Sequence, residues 1–361
     1  MKAFFTGGTG FIGQHVIRKL LDRGYDVVAL ARSPESVSKL TGMGATVEIG
    51  DITDISSMRD GMAGSDVVFH MAALYTIGGV DREQMEIVNV GGTRKVLRLA
   101  LELGVPRIIY TSTVNVLGDT KGAFVDESYY SEGPFLIEYE RTKWLAHYKV
   151  AAPLIEKGAP IIIVMPGQVY GPGDHSIIAE MMRLFYRGFP AVMGPDTVVT
   201  FAHVEDVAEG HILAAEKGHI GESYILTGPA IPIGEIVDFW AHLTGKPAPS
   251  LRIPSSLVRA TAPLADMASP FTDLDAAFSK EGASLVGTTY MARSDKAREE
   301  LGWQTRPLQT GMLETFEWIA ATEDERKTAV VRRREEQIAR LAMFSAALLF
   351  IAWLFSRRRN K

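Results

Sequence analysis

The sequence of 361 residues contains no cysteine. Disulfide bonds, thiolate metal sites and a cysteine nucleophile are therefore excluded, and the composition is compatible with a reducing cytoplasm. The histidines show no metal-ligand spacing and no HExxH motif occurs, so no metal site is expected. An excess of positive charge is also missing, because the formal net charge is -5 and the isoelectric point lies near 6.0. This charge balance gives no indication of nucleic acid binding.

Short apolar runs alternate with helical patterns over the first half of the chain. Helical stretches such as FIGQHVIRKLLDRG separate the runs and carry apolar residues at helical spacing. Such alternation predicts an α/β fold, namely a Rossmann-type doubly wound parallel sheet with helices on both faces. The six runs predicted as strands are KAFFTG, YDVVALAR, ATVEIGDI, DVVFHMAA, PRIIYTST and IIIVMPG.

A glycine cluster, TGGTGFIG, follows the first predicted strand and opens the first predicted helix. In this context Gly7 permits a tight turn, Gly10 lets a pyrophosphate approach the backbone, and Gly13 allows close packing of helix against strand. The free N–H groups at the helix N-terminus would face the phosphates. The pattern therefore predicts a dinucleotide-binding site.

The end of the second strand indicates which dinucleotide is bound. An acidic residue there would hold the ribose hydroxyls of NAD, but this chain has Ala31 followed by Arg32. An arginine can bind a 2′-phosphate through its planar guanidinium, so NADP is favoured and NAD is the alternative. Asp51 and Ile52, at the end of the third strand, are placed to meet the adenine, although Asp51 could equally be a turn residue.

The segment Tyr139-Glu-Arg-Thr-Lys143 has a tyrosine and a lysine four residues apart, hence on one face of a helix. A neighbouring cation is expected to lower the pKa of the Tyr139 phenol, which could then exchange a proton with a carbonyl or alcohol. Ser112 and Thr113 lie at the end of the fifth predicted strand, where ligands bind in open α/β sheets, so a hydroxyl there could bind the substrate oxygen.

Across residues 1–320 the chain resembles the extended short-chain dehydrogenase/reductases. The resemblance rests on several motifs that occur in order along the chain. These are TGGTGFIG, GDITD, HMAA, NVGGT, YTSTVNVLG, YERTK, PGQVYGPGD, FAHVEDVA and LGWQTRPL.

The resemblance implies roles for individual residues. Thr113, rather than Ser112, would be the catalytic hydroxyl, Tyr139 the acid/base, and Lys143 the group that tunes Tyr139 and holds the nicotinamide ribose. The backbone around Ala72, Pro166 and Val169 would seat the cofactor. The full set expected to bind the cofactor is Gly7, Gly10, Phe11, Ile12, Gly13, Arg32, Asp51, Ile52, Ala72, Lys143, Pro166 and Val169.

Two departures bear on the substrate. Met165 stands where sugar-nucleotide epimerases commonly carry an arginine, and no Arg-x-Gly-Asp precedes GTTYMARSDKAREELGW. The chain looks closer to the dihydroflavonol-reductase-like and 3β-hydroxysteroid-dehydrogenase-like branches. An oxidoreductase acting on a ketone or alcohol of a lipophilic, ring-shaped small molecule is expected. The alternatives are a sugar or sugar-nucleotide epimerase/dehydratase, and a non-catalytic, membrane-tethered dinucleotide-binding protein.

The C-terminal part has a different composition, because residues 341–355 are apolar except for Ser345. Arginines on both flanks and Trp353 favour a membrane anchor with the catalytic domain in the cytoplasm; a buried or dimerisation helix is the alternative. The resemblance implies that a homodimer can form through paired helices. The expected organisation is an NAD(P)-binding domain over 1–170, a substrate-binding region interleaved with the sheet over 171–320, a charged linker over 321–340 and the anchor over 341–355.

Overall fold

The structure is a computed structural model, which describes residues 1–77, 81–260 and 280–323. Twelve strands are present in this part of the chain. They are β1 (Lys2–Thr6), β2 (Asp26–Ala31), β3 (Thr46–Ile49), β4 (Val67–His70), β5 (Ile108–Thr111), β6 (Ile161–Pro166), β7 (Gln168–Tyr170), β8 (Ala191–Met193), β9 (Val198–His203), β10 (Ser223–Leu226), β11 (Ala230–Pro232) and β12 (Leu251–Ile253).

Helices connect most of these strands. They are α1 (Phe11–Asp22), α2 (Pro34–Gly42), α3 (Ser56–Met62), α4 (Arg82–Glu86), α5 (Thr93–Glu102), α6 (Glu138–Trp144), α7 (Ala152–Ile155), α8 (Ile177–Tyr186), α9 (Val204–Lys217), α10 (Ile233–Thr244), α11 (255–260), α12 (Lys280–Leu285) and α13 (308–323). A π-helical turn, Ile87–Gly92, joins α4 to α5, and another, Leu145–Ala151, joins α6 to α7.

Seven strands form one sheet in the order β10-β6-β5-β4-β1-β2-β3, and every neighbouring pair is parallel. The strand order reverses between β1 and β4, which is the switch point of a Rossmann-type sheet. The predicted doubly wound α/β fold is therefore confirmed. The sequence predicted six of its strands; the seventh, β10, is four residues long and follows α9, well beyond residue 170.

Helices cover both faces of this sheet, as the alternation of buried side chains shows. Phe4 and Val68 belong to one apolar cluster, whereas their chain neighbours Phe5 and Phe69 belong to the cluster on the opposite face. Successive side chains of a strand point to opposite faces, so a sheet buried on both sides needs continuous apolar runs. Burial of the sheet on both faces therefore explains the apolar runs VVAL and IIIV in the sequence.

The C-terminal region has a core of its own beside the carboxyl edge of the sheet. Trp240 of α10 is fully buried there and packs against Phe185 of α8 and Phe316 of α13. Two small sheets, β11-β9-β7 and β12-β8, belong to the same region. Part of this region lies in the chain between β6 and β10, which are neighbours in the seven-stranded sheet. The region is therefore partly an insertion between two strands of the sheet and not only a C-terminal extension.

The predicted anchor, residues 341–355, lies outside the described residues. Within the ranges that the structure describes, no helix is both long enough and apolar enough to cross a membrane.

Substitution of two isoleucines tests whether β6 is an interior strand of the sheet, paired on both sides. Ile163 is 1% exposed and lies between β5 and β10, whereas Ile49 at the end of β3 is 70% exposed. We expect Ile163→Ala to lower the free energy of unfolding by about 2–5 kcal/mol, because it leaves a cavity in a close-packed layer. Ile49→Ala should change it by about 0.5 kcal/mol or less. Equal losses in urea unfolding would contradict this placement.

Candidate active site

The glycine turn between β1 and α1 has the geometry that the sequence pattern predicts. Gly7 has a φ of 82°, a conformation that favours glycine. A Cβ atom on Gly13 would lie 2.2 Å from the carbonyl oxygen of Gly7, so a side chain there would collide with the turn. A Cβ atom added to Gly10, the N-cap of α1, would meet only that same carbonyl oxygen, at 3.2 Å, among the described residues. The turn thus leaves room for a ligand above the start of α1.

A cavity of about 450 Å³ opens above this turn, beyond the carboxyl ends of β1, β2 and β4. The turn, the free N–H groups of a helix N-terminus and an exposed arginine form a donor set that suits the phosphates of a dinucleotide. The residues that line the cavity are Thr6, Gly7, Thr9, Gly10, Leu30, Ala31, Arg32, Ser36, Ile52, Met71, Ala72, Ala73, Leu74, Gln84 and Val88. Five of the residues predicted to bind the cofactor are among them: Gly7, Gly10, Arg32, Ile52 and Ala72.

The Arg32 side chain is 70% exposed, and its Nη1 lies 3.6 Å from Oδ2 of Asp51. The other oxygen of Asp51 accepts hydrogen bonds from the backbone N–H and the hydroxyl of Thr53, at 2.8 and 2.7 Å. These bonds are those of a turn residue after β3, and the predicted contact of Asp51 with the adenine stays a prediction. Ile52, the next residue, is one of the apolar residues that line the cavity.

The remaining predicted cofactor residues are not part of the lining described above. Phe11 and Ile12 pack, partly buried, against the apolar cluster beneath α1. Pro166 ends β6 and pairs with Leu226 of β10, and Val169 lies buried in β7. Their predicted contacts with a cofactor stay predictions.

Lys143 is 3% exposed, and its ammonium group reaches the end of β5. Its Nζ donates a hydrogen bond to the Thr111 carbonyl at 2.7 Å and lies 3.5 Å from the Tyr110 hydroxyl. Burial lowers the pKa of Lys143 to about 7. The group therefore changes charge near neutral pH, which makes it a candidate functional residue rather than a surface lysine.

The expectation that Lys143 lowers the pKa of Tyr139 is wrong for this structure. Burial, with a smaller contribution from the nearby Tyr75 phenol, raises the pKa of Tyr139 above its usual value. The physical reason is that the Lys143 ammonium is bonded at the strand end, while the Tyr139 ring contacts Tyr75 edge to face, with 4.8 Å between the ring centres. Tyr139 therefore holds its proton at neutral pH.

Thr113 and Ser112 have different environments after β5. The Ser112 hydroxyl is buried and hydrogen-bonds with Nδ1 of His147 at 2.8 Å. The Thr113 hydroxyl donates to Oδ1 of Asn115 at 3.0 Å and accepts from the backbone N–H of Asn115 at 3.2 Å. Asn115, the partner of the Thr113 hydroxyl, lines the second cavity described below, whereas the partner of Ser112 does not.

A single asparagine connects the first cavity to α6. Oδ1 of Asn89 accepts from the Leu74 N–H at 2.7 Å, and its Nδ2 donates to the Leu74 carbonyl at 3.0 Å and to Oγ1 of Thr142 at 3.1 Å. The helix that carries Tyr139 and Lys143 is thereby tied to the rim of the dinucleotide cavity.

A second cavity, of about 130 Å³, lies between α8 and α12, with Ile137, the residue before α6, in its wall. None of the described residues that line it is charged. They are Tyr75, Ile77, Val114, Asn115, Ile137, Gln168, Ile177, Ile178, Met181, Met193, Thr197, Val199, Thr200, Ile233, Gly282, Leu285, Val286 and Tyr290. The contact of Tyr75 with Tyr139 places this apolar cavity next to the candidate acid/base. Tyr75 and Tyr290 were not singled out from the sequence, because isolated tyrosines in loops carry no spacing signal.

Comparison with known proteins shows the family to which this chain belongs. A sequence profile of the NAD dependent epimerase/dehydratase family matches residues 3–226, that is, from β1 to β10. The chain is 31% identical over 326 residues to "Sterol demethylase protein B" of Methylococcus capsulatus, covering 88% of this chain and 98% of that protein. It is 32% identical over 312 residues to "4-hydroxy-2-methyl-3-oxo-4-farnesyl-3,4-dihydroquinoline-1-oxide ketoreductase" of Stigmatella aurantiaca, covering 85% and 92%.

A solved structure supports the same placement. The crystal structure of gox2253 superposes with a TM-score of 0.77 at 33% identity, covering 89% of this chain and 98% of that one. The chain therefore belongs to the NAD dependent epimerase/dehydratase family. It is an enzyme of the extended short-chain dehydrogenase/reductase type.

A pair of glycine substitutions tests the dinucleotide turn. Gly13→Ala places a methyl group against the Gly7 carbonyl, so the turn must shift. We expect dinucleotide affinity to fall by about tenfold or more, equivalent to about 1.4 kcal/mol. Gly42→Ala is the control, since its added Cβ meets no heavy atom of the described chain within 4 Å. Titration with NADPH and NADH, followed by fluorescence, measures both; unchanged affinity in Gly13→Ala would contradict the assignment.

Proposed function

We propose that this enzyme is an NADP-preferring oxidoreductase that reduces a ketone on a ring-shaped, apolar small molecule. The observation that carries the proposal is the uncharged cavity beside Tyr139. Its volume of about 130 Å³ is comparable with the ~150 Å³ of an engineered apolar cavity that binds benzene. The cavity is therefore suited to hold one apolar ring next to the proton donor.

The chemistry of the lining argues against a nucleotide sugar. A diphosphate group needs cationic or other strong donor groups, whereas the described lining offers aliphatic side chains with a few hydroxyl and amide groups. The printed names of two relatives refer to a sterol and to a farnesylated quinoline ketone. Both names fit apolar ring substrates, and they support the proposal without fixing the substrate of this chain.

The bound nicotinamide supplies the hydride, and the protein supplies proton transfer and orientation. Tyr139 keeps its proton at neutral pH and so can give it to the oxygen of a ketone as that oxygen gains negative charge. Thr113, whose hydroxyl bonds to Asn115 of the cavity lining, would orient the same oxygen. Lys143, buried at the end of β5, would bind the nicotinamide ribose.

Two other functions remain as alternatives. An epimerase or dehydratase of a sugar derivative would use the same three residues, and the family description favours it; such an enzyme would show no net consumption of NADPH. A non-catalytic dinucleotide-binding protein would not need Tyr139. The predicted membrane anchor over 341–355 and the predicted homodimer are additional proposals, and the anchor would suit a lipophilic substrate.

Removal of the Tyr139 hydroxyl tests the function. Wild-type enzyme is first screened for NADPH oxidation with steroid, flavonoid and sugar-nucleotide carbonyls. With the best ketone, we expect Tyr139→Phe to lower kcat by about 10²- to 10⁴-fold, because general acid catalysis contributes that much. Dinucleotide affinity should stay within about twofold of wild type, since the hydroxyl acts on the substrate.

Tyr130→Phe is the control for that experiment. Its hydroxyl is on an exposed loop and donates to Glu132 at 3.1 Å, so its removal should leave kcat unchanged. Full turnover in Tyr139→Phe would contradict the proposed function and favour a binding protein.

The cofactor preference depends on Arg32. We expect Arg32→Ser to raise KM for NADPH by about tenfold, or about 1.4 kcal/mol, while KM for NADH changes little. Arg298→Ser is the matched control, because Arg298 is also exposed and paired with an aspartate, Asp295, at 3.1 Å. Equal effects of Arg32→Ser on both dinucleotides would show that Arg32 does not contact a 2′-phosphate.

A further inference from the structure

Three polar side chains lie in a row at the carboxyl ends of β1, β4 and β5. The strand register pairs Thr6 with His70 and His70 with Tyr110. His70 is 1% exposed and has no part in the chemistry proposed above. Its ring stacks on that of Tyr110 with 5.6 Å between the ring centres, and both of its nitrogens bond to hydroxyl groups. The directions of these two hydrogen bonds decide what His70 does.

The bond between His70 and Thr93 shows which ring nitrogen carries the proton. Nε2 of His70 lies 2.9 Å from Oγ1 of Thr93. The Thr93 hydroxyl gives its only proton to the backbone carbonyl of Asn89 at 2.7 Å, because a carbonyl can only accept. Thr93 therefore accepts from His70, which places the ring proton on Nε2. Burial lowers the pKa of His70 to about 3, so the ring carries no second proton at neutral pH.

The unprotonated Nδ1 of His70 accepts a hydrogen bond from Thr6. Nδ1 and the Thr6 Oγ1 are 2.9 Å apart. With its proton directed to His70, the Thr6 hydroxyl presents a lone pair to Ala72, whose backbone N–H it accepts at 3.3 Å. The opposite proton order would leave the buried Thr6 proton without an acceptor among the described residues. His70 therefore directs the Thr6 hydroxyl, and this hydroxyl holds the Ala72 N–H.

The Ala72 peptide belongs to the wall of the dinucleotide cavity, which both Thr6 and Ala72 line. A Cβ atom on Gly7 would lie 2.6 Å from the Ala72 nitrogen, so the dinucleotide turn packs directly on this peptide. Because protein interiors are close-packed, a shift of the peptide would displace the turn and change the shape of the cavity. The hydrogen bonds of His70 thus extend to the dinucleotide site.

We propose that His70 is a positioning residue for the dinucleotide: with its proton on Nε2 it directs the Thr6 hydroxyl, which in turn fixes the Ala72 peptide against the Gly7 turn. The inference concerns cofactor binding and does not depend on the proposed ketone substrate. Its failure is therefore distinct from failure of the proposed function, which the turnover of Tyr139→Phe decides. The quantity that should respond is the Kd for the dinucleotide.

Two substitutions of His70 each remove one of its hydrogen bonds. An asparagine Oδ1 lies close to the position of Nδ1, so His70→Asn can still accept from Thr6 but loses the bond to Thr93. A glutamine amide reaches the position of Nε2, so His70→Gln can still donate to Thr93 but loses the acceptor for Thr6. In fluorescence titrations we expect the Kd for NADPH to rise about tenfold in His70→Gln, the scale of one lost hydrogen bond. In His70→Asn it should stay within about twofold of wild type, although both variants lower the unfolding temperature.

His211→Gln is the matched control. His211 is also fully buried and bonds to a hydroxyl at a strand end, that of Thr111 at 3.1 Å, but it belongs to α9 on the other face of the sheet. We expect a lower unfolding temperature and a Kd for NADPH within about twofold of wild type. Equal Kd values in the two His70 variants would overturn the inference, as would a loss of affinity in His211→Gln as large as in His70→Gln.

The Thr6 hydroxyl provides a second test of the same inference. Thr6→Val removes it and should raise the Kd for NADPH about tenfold. In this background His70→Gln should raise the Kd further by about twofold or less, since no hydroxyl is left to direct. The same factor from His70→Gln in both backgrounds would contradict the inference. Should His70→Gln fail to fold, Thr6→Val decides alone, and a wild-type Kd in that variant would overturn the inference.

Discussion

Parallel strands bring their carboxyl ends to one edge of the sheet, and the whole candidate site depends on this constraint. Gly7 follows β1, Arg32 follows β2, Ala72 follows β4 and Thr113 follows β5. These residues are far apart in the chain, yet the register of neighbouring strands places them along the same edge. The reversal of strand order between β1 and β4 opens the crevice in which the dinucleotide cavity lies.

Burial, rather than ion pairing, controls the electrostatics of the site. It lowers the pKa of Lys143 to about 7 and raises that of Tyr139 above its usual value, so both groups favour their neutral forms.

Some of this architecture could be predicted from the sequence and some could not. Continuous apolar runs predicted six strands because a sheet buried on both faces requires them. The seventh strand, β10, was missed although it is as long as β4 and β5, because it follows the C-terminal insertion, where the alternation of strands and helices is irregular. The glycine turn was predictable because only glycine fits at Gly7 and Gly13. The pKa of Tyr139 was not, since helical spacing places Lys143 nearby but does not show where its ammonium group is bonded.

The apolar cavity also could not be predicted from sequence patterns. Its wall combines residues from loops and helices separated by more than two hundred positions, such as Tyr75 and Tyr290. No local spacing joins them, because the C-terminal region folds back over the sheet edge.

The central claim is that a ketone beside Tyr139 receives a hydride from the reduced dinucleotide. The most direct measurement uses NADPH carrying deuterium at C4 of the nicotinamide, prepared separately in each of its two stereoisomers, with the ketone product analysed by mass spectrometry and NMR. The account predicts one deuterium atom on the new carbinol carbon from one of the isomers, with one NADP⁺ formed for each product molecule. Product without deuterium from either isomer, or turnover without net loss of NADPH, would contradict it.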